Sequence, residues 1–379
     1  MSLYPLKFTP IIKSKIWGGE RLEKLYDKIY QIERNGGVIS DEEKRDRRFG
    51  ESWEISDIEG DISVVNNGYL AENDLQEMIE LYMGDLVGDA IYNRFGLGFP
   101  LLIKFIDAND DLSVQVHPDD ELAYQLYGQQ GKNELWYVVD CEPGAGLYVG
   151  FKKGVKRADY EKAVKEGYID KLLVFYPVQK GDAFFIPAGT VHAIGKGVML
   201  AEIQQASDCT YRIFDWNRTD DNGQSRELHC AEALQAIHFN EKYEYKLEYE
   251  EKENTSSKLF RSKYFNINIL NFEKPIQKVY VNIESFIIYM CIEGEVHLFN
   301  DDIHEVIYAG ETILVPAILP EINLVPNGKS KVLEIYMPGM LSAPVCSTAH
   351  GRAWICVPLL RWVPLPRSAP SAHPALPRV

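Results

Sequence analysis

Gln115, His117, Glu134 and His192 are side chains of the types that hold a divalent metal ion: one amide, two imidazoles and one carboxylate. Gln115 and His117 stand two apart in LSVQVHPDD, so an extended strand turns both side chains to one face. Glu134 opens the apolar run ELWYVV, and His192 closes GDAFFIPAGTVHAIG, a β-rich run that starts at Gly181 and turns at Pro187 and Gly189. Together the set carries one negative charge, so a bound divalent ion keeps net positive charge and suits Lewis-acid chemistry. The expectation is a metalloenzyme.

The elements that must position these residues are mostly short strands separated by turn residues. Residues 72 to 95 carry Leu75, Met78, Ile79, Tyr82, Met83 and Leu86 at helical spacing behind early acids, which predicts one or two amphipathic helices. Shorter helices are expected at 119–127, 158–166 and 228–238. Glu33 to Arg48 is charged, contains Asn35, Gly36 and Gly37, and reads as a solvated loop. A charged segment at 241–258 precedes a second strand-rich region from Tyr264 to Met337. The expected division is a catalytic domain over 1–258, carrying the helical insertions, and a second, metal-free domain over 259–341.

Composition narrows the function classes. The chain has 379 residues, enough for two ordinary cores, and a formal charge of −16 from 40 basic and 56 acidic residues. Such a surface does not attract nucleic acid or an anionic membrane. MSLYPLKFTP has no apolar signal core, and no run approaches the roughly 18 apolar residues of a membrane span. A cytoplasmic protein is expected. Cys141, Cys209, Cys230, Cys291, Cys346 and Cys356 form no CxxC pair, so neither a disulfide framework nor a thiolate zinc site is expected. Oligomeric state is not encoded in any pattern of this sequence.

An internal repeat is visible in layout. Gly181, Pro187, Gly189 and His192 set a frame that Gly310 and Pro316 repeat in GETILVPAILPE, with Ile318 in place of the glycine and Glu321 in place of the histidine. Upstream, FIIYMCIEGEVHLF resembles the ELWYVV region. The second half thus reads as the same fold without the metal site.

The G-x5-P-x-G-x2-H segment resembles the second motif of cupins, small jelly-roll β-barrels that hold a metal inside. FGESWEIS (49–56), PLLIKFIDANDDLSVQVHPDDELA (100–123), GKNELWYVV (131–139), IPAGTVHAIG (186–195) and SDCTYRIFDWNR (207–218) together resemble type I mannose-6-phosphate isomerases of the short bacterial form, over about residues 5–338. That resemblance implies a mainly β fold of two cupin-type barrels, the second degenerate. It also implies one zinc ion and the interconversion of mannose 6-phosphate and fructose 6-phosphate through an enediol. The family's zinc ligands fall on Gln115, His117, Glu134 and His192, and its catalytic arginine on Arg212. Lys104, Ser113, Lys132, Glu202 and Asp208 match positions lining the sugar-phosphate pocket.

The residues themselves leave the general base open among Glu202, Asp208, Lys132 and a metal-bound hydroxide. They also leave two other classes open: a non-catalytic sugar-binding or regulatory cupin, which needs neither Arg212 nor the lysines, and an iron-dependent cupin oxidoreductase built on two histidines and a carboxylate. An ion pair with Asp208 is the structural alternative for Arg212. The last 38 residues, Ser342 to Val379, hold seven prolines and four arginines but no lysine or acid, against 56 acids and 36 basic residues before Ser342. They depart from the family pattern and read as a non-native or disordered tail.

Overall fold

The computed structural model describes residues 3–34, 36–219, 223–239, 243–300 and 303–339; the expected tail at 342–379 lies outside the described residues. The fold is mainly β, arranged as two units that each stack one sheet on another. In the first unit a six-stranded sheet runs in the order Ala183–Ile186, Glu134–Cys141, Val198–Gln205, Leu101–Ala108, Ile11–Gly19 and Phe49–Ile55. Facing it is a five-stranded sheet ordered Leu173–Pro177, Gly146–Phe151, His192–Ile194, Val114–Val116 and Tyr211–Phe214. The second unit pairs Leu6–Lys7, Thr312–Val315, Ile287–Glu293, Ser330–Tyr336, Asn266–Phe272 and Ser256–Arg261 against a sheet of Ile276–Val279, Glu321–Pro326, Glu295–Asn300 and Ile303–Tyr308. The neighbouring pairs within both units are antiparallel.

Period-2 side-chain alternation sorts each strand into two cores. In Leu101–Ala108 every residue is buried, with Leu101, Ile103 and Phe105 on one face and Ile106 and Ala108 on the other. The second face joins Trp136, Val138, Leu147, Phe184 and Leu200 between the sheets of the first unit. The first face meets Ile267, Ile269, Ile288, Leu333 and Ile335 of the second unit, so the two six-stranded sheets lie back to back across one shared core. That explains why these strands read as continuous apolar runs. A matching core of Leu270, Tyr289, Val296, Ile313 and Leu324 fills the second unit.

The chain crosses between units in both directions. Leu6–Lys7, at the N-terminal end, pairs with Thr312–Val315 of the second unit. Tyr245 and Leu247, in the charged stretch leading to that unit, hydrogen-bond back to Phe185 and Ala183 of the first. Lys28, fully buried, reaches the Glu54 carboxylate at 2.8 Å and the Gly310 carbonyl, and Lys7 pairs with Glu311 at 2.8 Å.

Helices Leu75–Val87, Asp89–Phe95, Asp120–Tyr127, Arg157–Glu166 and Cys230–Ala236 lie outside the sheets. Tyr160, Ala163, Ala233 and Ala236 from the last two pack on Val114, Val116, Ala193, Tyr211 and Ile213, the outer face of the five-stranded sheet. Helices Arg21–Tyr26 and Lys28–Arg34 were not selected from the sequence; Leu22, Tyr26, Ile29 and Ile32, three or four residues apart, turn toward the core. The reading of Glu33 to Arg48 as a loop is corrected: Lys28–Arg34 extends into it, and Asp41–Asp46 is a helix. Ser40 and Glu43 form a reciprocal capping box there, a local signal that outweighs the charge of the segment.

Candidate metal centre

Because Val114 and Val116 face outward onto helices, Gln115 faces the space between the sheets, and the chain carries His117 to the same side. Glu134 enters from the opposite sheet, where Leu135 and Tyr137 take the outer face. His192 pairs across the ladder with Gln115. The Pro187–Gly189 turn delivers it: Gly189 has φ +84°, its N–H donates to the His117 carbonyl at 2.9 Å, and a Cβ there would lie 2.6 Å from the His238 ring. Both sheets thus converge their polar residues at one end, and apolar side chains fill the rest of the interior.

His117 and His192 each donate Nδ1–H to a backbone carbonyl, of Cys209 at 3.0 Å and of Thr190 at 2.9 Å, in the tautomers we assign. That fixes both Nε2 lone pairs toward Glu134, at 3.2 Å from Oε1 and 3.7 Å from Oε2. The candidate ligand atoms of the three residues lie within 4.8 Å of one another, and all three side chains are buried. His117 Nε2 and both Glu134 oxygens lack a hydrogen-bond partner. The Lys132 ammonium does approach Oε1 at 3.1 Å, a close charge contact whose angle does not make a hydrogen bond. Orphaned buried acceptors aimed at one point cost stability unless a cation satisfies them. Gln115 turns Nε2 toward His192 at 3.4 Å; rotating its terminal amide brings Oε1, a ligand atom, to that place.

Charge around the cluster is arranged in two groups. Lys104 lies 3.4 Å from Glu51 and 3.3 Å from Glu202, while Lys15 lies 3.5 Å from Glu51. Trp53 and Trp136 donate their indole N–H to Glu51 and Glu202, at 2.7 and 2.8 Å. Burial opposes charge on Glu51, yet Lys15, Lys104 and Trp53 overcome it and hold this carboxyl at about 2. On Glu202 burial and the Glu134 charge prevail over Lys104 and push the carboxyl up. Asp208 is raised by burial, and its Oδ1 is buried without a partner. Burial works against the Lys104 ammonium, but Glu51 and Glu202 raise its pKa above the ordinary value. Burial lowers His117 to about 3, reinforced by Lys132, so the imidazole is neutral and its Nε2 lone pair could serve a metal.

The second group is cationic. Arg212 pairs in register with Gln115 on the same face, is 4% exposed, and donates from Nη1 to the Glu227 carbonyl at 3.0 Å. Its Nε has no partner, and it forms no ion pair with Asp208. Burial, then Arg226, bring its pKa down to about 10, still a cation at neutral pH. Arg218 and Arg226 both hold Asp215, at 2.6 Å each, and Arg218 Nη1 is buried without a hydrogen-bond partner, 3.6 Å from Asp110. Ser113, buried beside Gln115, lies 3.4 Å from its Oε1. Sequence reasoning did not select Glu51, Lys15, Arg218 or Arg226; Glu51 and Arg218 sit inside the FGESWEIS and SDCTYRIFDWNR segments, while nothing local marks Arg226.

Comparison with known proteins agrees with this geometry. Residues 6–141 match the catalytic domain of type I phosphomannose isomerases. The mannose-6-phosphate isomerase ManA of Bacillus subtilis is 34% identical over 330 residues, covering 86% of this chain and 96% of that protein. The mannose-6-phosphate isomerase of Streptococcus mutans is 40% identical over 233 residues, 62% of this chain and 67% of that protein. The crystal structure of a Bacillus subtilis mannose 6-phosphate isomerase superposes with TM-score 0.74 at 30% identity, covering 87% of this chain and 99% of that one. A putative mannosephosphate isomerase from Archaeoglobus fulgidus shares the fold at 21% identity, TM-score 0.68, with 89% and 100% covered. With a relative above 30% identity matched over nearly its whole length, this chain belongs to the type I mannose-6-phosphate isomerase family of enzymes.

Proposed function

We propose that this chain interconverts mannose 6-phosphate and fructose 6-phosphate through an enediol, with one zinc ion held by Gln115, His117, Glu134 and His192. The observation that carries this reading is the convergence of partnerless, buried His117 and Glu134 atoms with His192, in line with Arg212. Two imidazoles, a carboxylate and an amide oxygen make a set zinc accepts. When bound, zinc supplies positive charge where the sugar oxygen becomes anionic.

The chain's own groups supply the rest. Arg212 faces the ligand strand as a fixed cation and stabilises charge on O1 and O2 without acting as base. Asp208 is the group we assign to carry the proton between C1 and C2: its Oδ1 is a free acceptor and its raised pKa favours taking a proton. Glu202 has both oxygens engaged, by Trp136 and Lys104, and serves as a hydroxyl acceptor in the pocket. Lys104 and Lys132 are matched by carboxylates, so they orient Glu51, Glu202 and Glu134 and contact sugar hydroxyls. The dianionic phosphate is assigned to Arg218, Arg226 and Ser113, where two guanidinium groups share the Asp215 carboxylate.

Two jelly-roll barrels, divided near residue 258, remain the organisation we propose, with a cytoplasmic location. Among the described residues no helix is long and apolar enough to cross a membrane. The test is to compare mannose 6-phosphate with mannose in the zinc-loaded enzyme: strong preference for the phosphorylated sugar, lost in Arg218→Ala, supports the assignment, and equal use of both sugars overturns it.

A further inference from the structure

The second unit carries a pair of imidazoles outside the pocket. His297, on Glu295–Asn300, and His304, on Ile303–Tyr308, stand on paired antiparallel strands. Val296, Leu298 and Ile307 point into the core, so the histidines occupy the outer, solvent-facing side. His304 is exposed and His297 partly so. His297 Nδ1 lies 3.0 Å from His304 Nε2. Two nitrogens bound to one tetrahedral ion at 2.0–2.1 Å are about 3.3 Å apart, so a small ring rotation opens this pair to a metal.

What surrounds the pair favours the same use. In the tautomer we assign, His297 Nε2–H donates to Glu295 Oε1 at 2.9 Å, which leaves the Nδ1 lone pair directed at His304. Asn327 donates to the other Glu295 oxygen at 3.0 Å and fixes the carboxylate. This carboxylate–imidazole arrangement is the one that orients and strengthens metal-bound histidines. Phe299 stacks on His304 at 4.4 Å and 7°, a contact that an in-plane turn of the imidazole preserves.

We propose that His297 and His304 form an accessory surface site for a borderline divalent cation of the nickel, copper and zinc class, with Glu295 as the orienting group and water in the open positions. The ion staples two paired strands and leaves the catalytic centre untouched.

The test is calorimetric titration of nickel(II) into the zinc-loaded full chain, with zinc release and isomerase activity followed together. One nickel per chain is expected, without zinc release, raising the melting temperature. In His304→Gln this binding and the thermal shift disappear; in Glu295→Gln affinity falls roughly tenfold. Activity and zinc content stay normal in both, which also shows that the variants fold. Nickel binding unchanged in His304→Gln, nickel taken up only as zinc leaves, or no nickel bound by the parent protein overturns the proposal.

Discussion

The two units repeat one strand order yet treat the same interior position in opposite ways. Register pairs identify the equivalents: Ile186 pairs with Glu134 as Val315 does with Ile287, and Glu202 with Trp136 as Glu334 does with Tyr289. His192 opposes Gln115, and its counterpart Glu321 opposes Val279. Glu202 pairs with Lys104 and Glu334 with Asn268. In the second unit Glu334 is satisfied by Asn268 at 2.6 Å, Lys278 at 2.8 Å, Tyr280 at 2.6 Å and Tyr289 at 3.1 Å. In the first unit Glu134, Asp208, Thr210 and Arg212 keep buried polar atoms without partners. One unit closed its polar cluster on itself; the other left buried polar atoms of its cluster open. The second unit keeps only the isolated Thr312 Oγ1 unpartnered among its described side chains, so what distinguishes the first is the clustering of such atoms.

Loss of a ligand separates the halves most sharply. His192→Ala is expected to abolish metal retention and turnover, while Glu321→Ala at the equivalent position changes neither; metal analysis alongside an isomerase assay reads both. Next in size is Arg212→Ala, which should cut turnover roughly 100-fold to 1000-fold with metal retained. Near-normal turnover would remove Arg212 from the chemistry. Glu334→Gln breaks the closed cluster and leaves the half-buried Lys278 beside a neutral amide, so urea unfolding should show a loss of about 2 kcal/mol. Activity per folded chain should not change, and a catalytic defect there would erase the division of labour.

The smallest effect concerns pH. Glu51 has a folded pKa of about 2 against the ordinary 4.5, so its contribution is complete above 4.5 and is lost as pH falls toward 2. Glu202 and Asp208, both raised, act in the opposite sense above their ordinary values. Acid unfolding of Glu51→Gln should therefore flatten the dependence between pH 4.5 and 2, and an unchanged slope would show that Glu51 is not held by Lys15 and Lys104.

Much of the site was legible because its signals are local. The two-residue spacing of Gln115 and His117, and the turn before His192, follow from strand geometry and a left-handed glycine. The repeat frame set Glu321 in the place of His192, and the strand register puts Glu321 opposite Val279 where His192 opposes Gln115. Long-range facts were not legible. Nothing in the sequence places Lys28 against Glu54 and Gly310, or joins Leu6–Lys7 to the second unit's sheet. Arg226 enters through chain return onto Asp215, and the Ser40–Glu43 cap was hidden by a run of charges. These depend on which sheet faces lie back to back, a property of packing and not of periodicity.

The central claim is that the open cluster of the first unit is the one metal site on which isomerisation depends. Stripping the protein with a chelator and adding zinc back stepwise, while following fructose 6-phosphate formed from mannose 6-phosphate, tests it directly. Activity should be absent in the stripped protein, rise in proportion to zinc and level off at one ion per chain. Full turnover without metal would contradict the account.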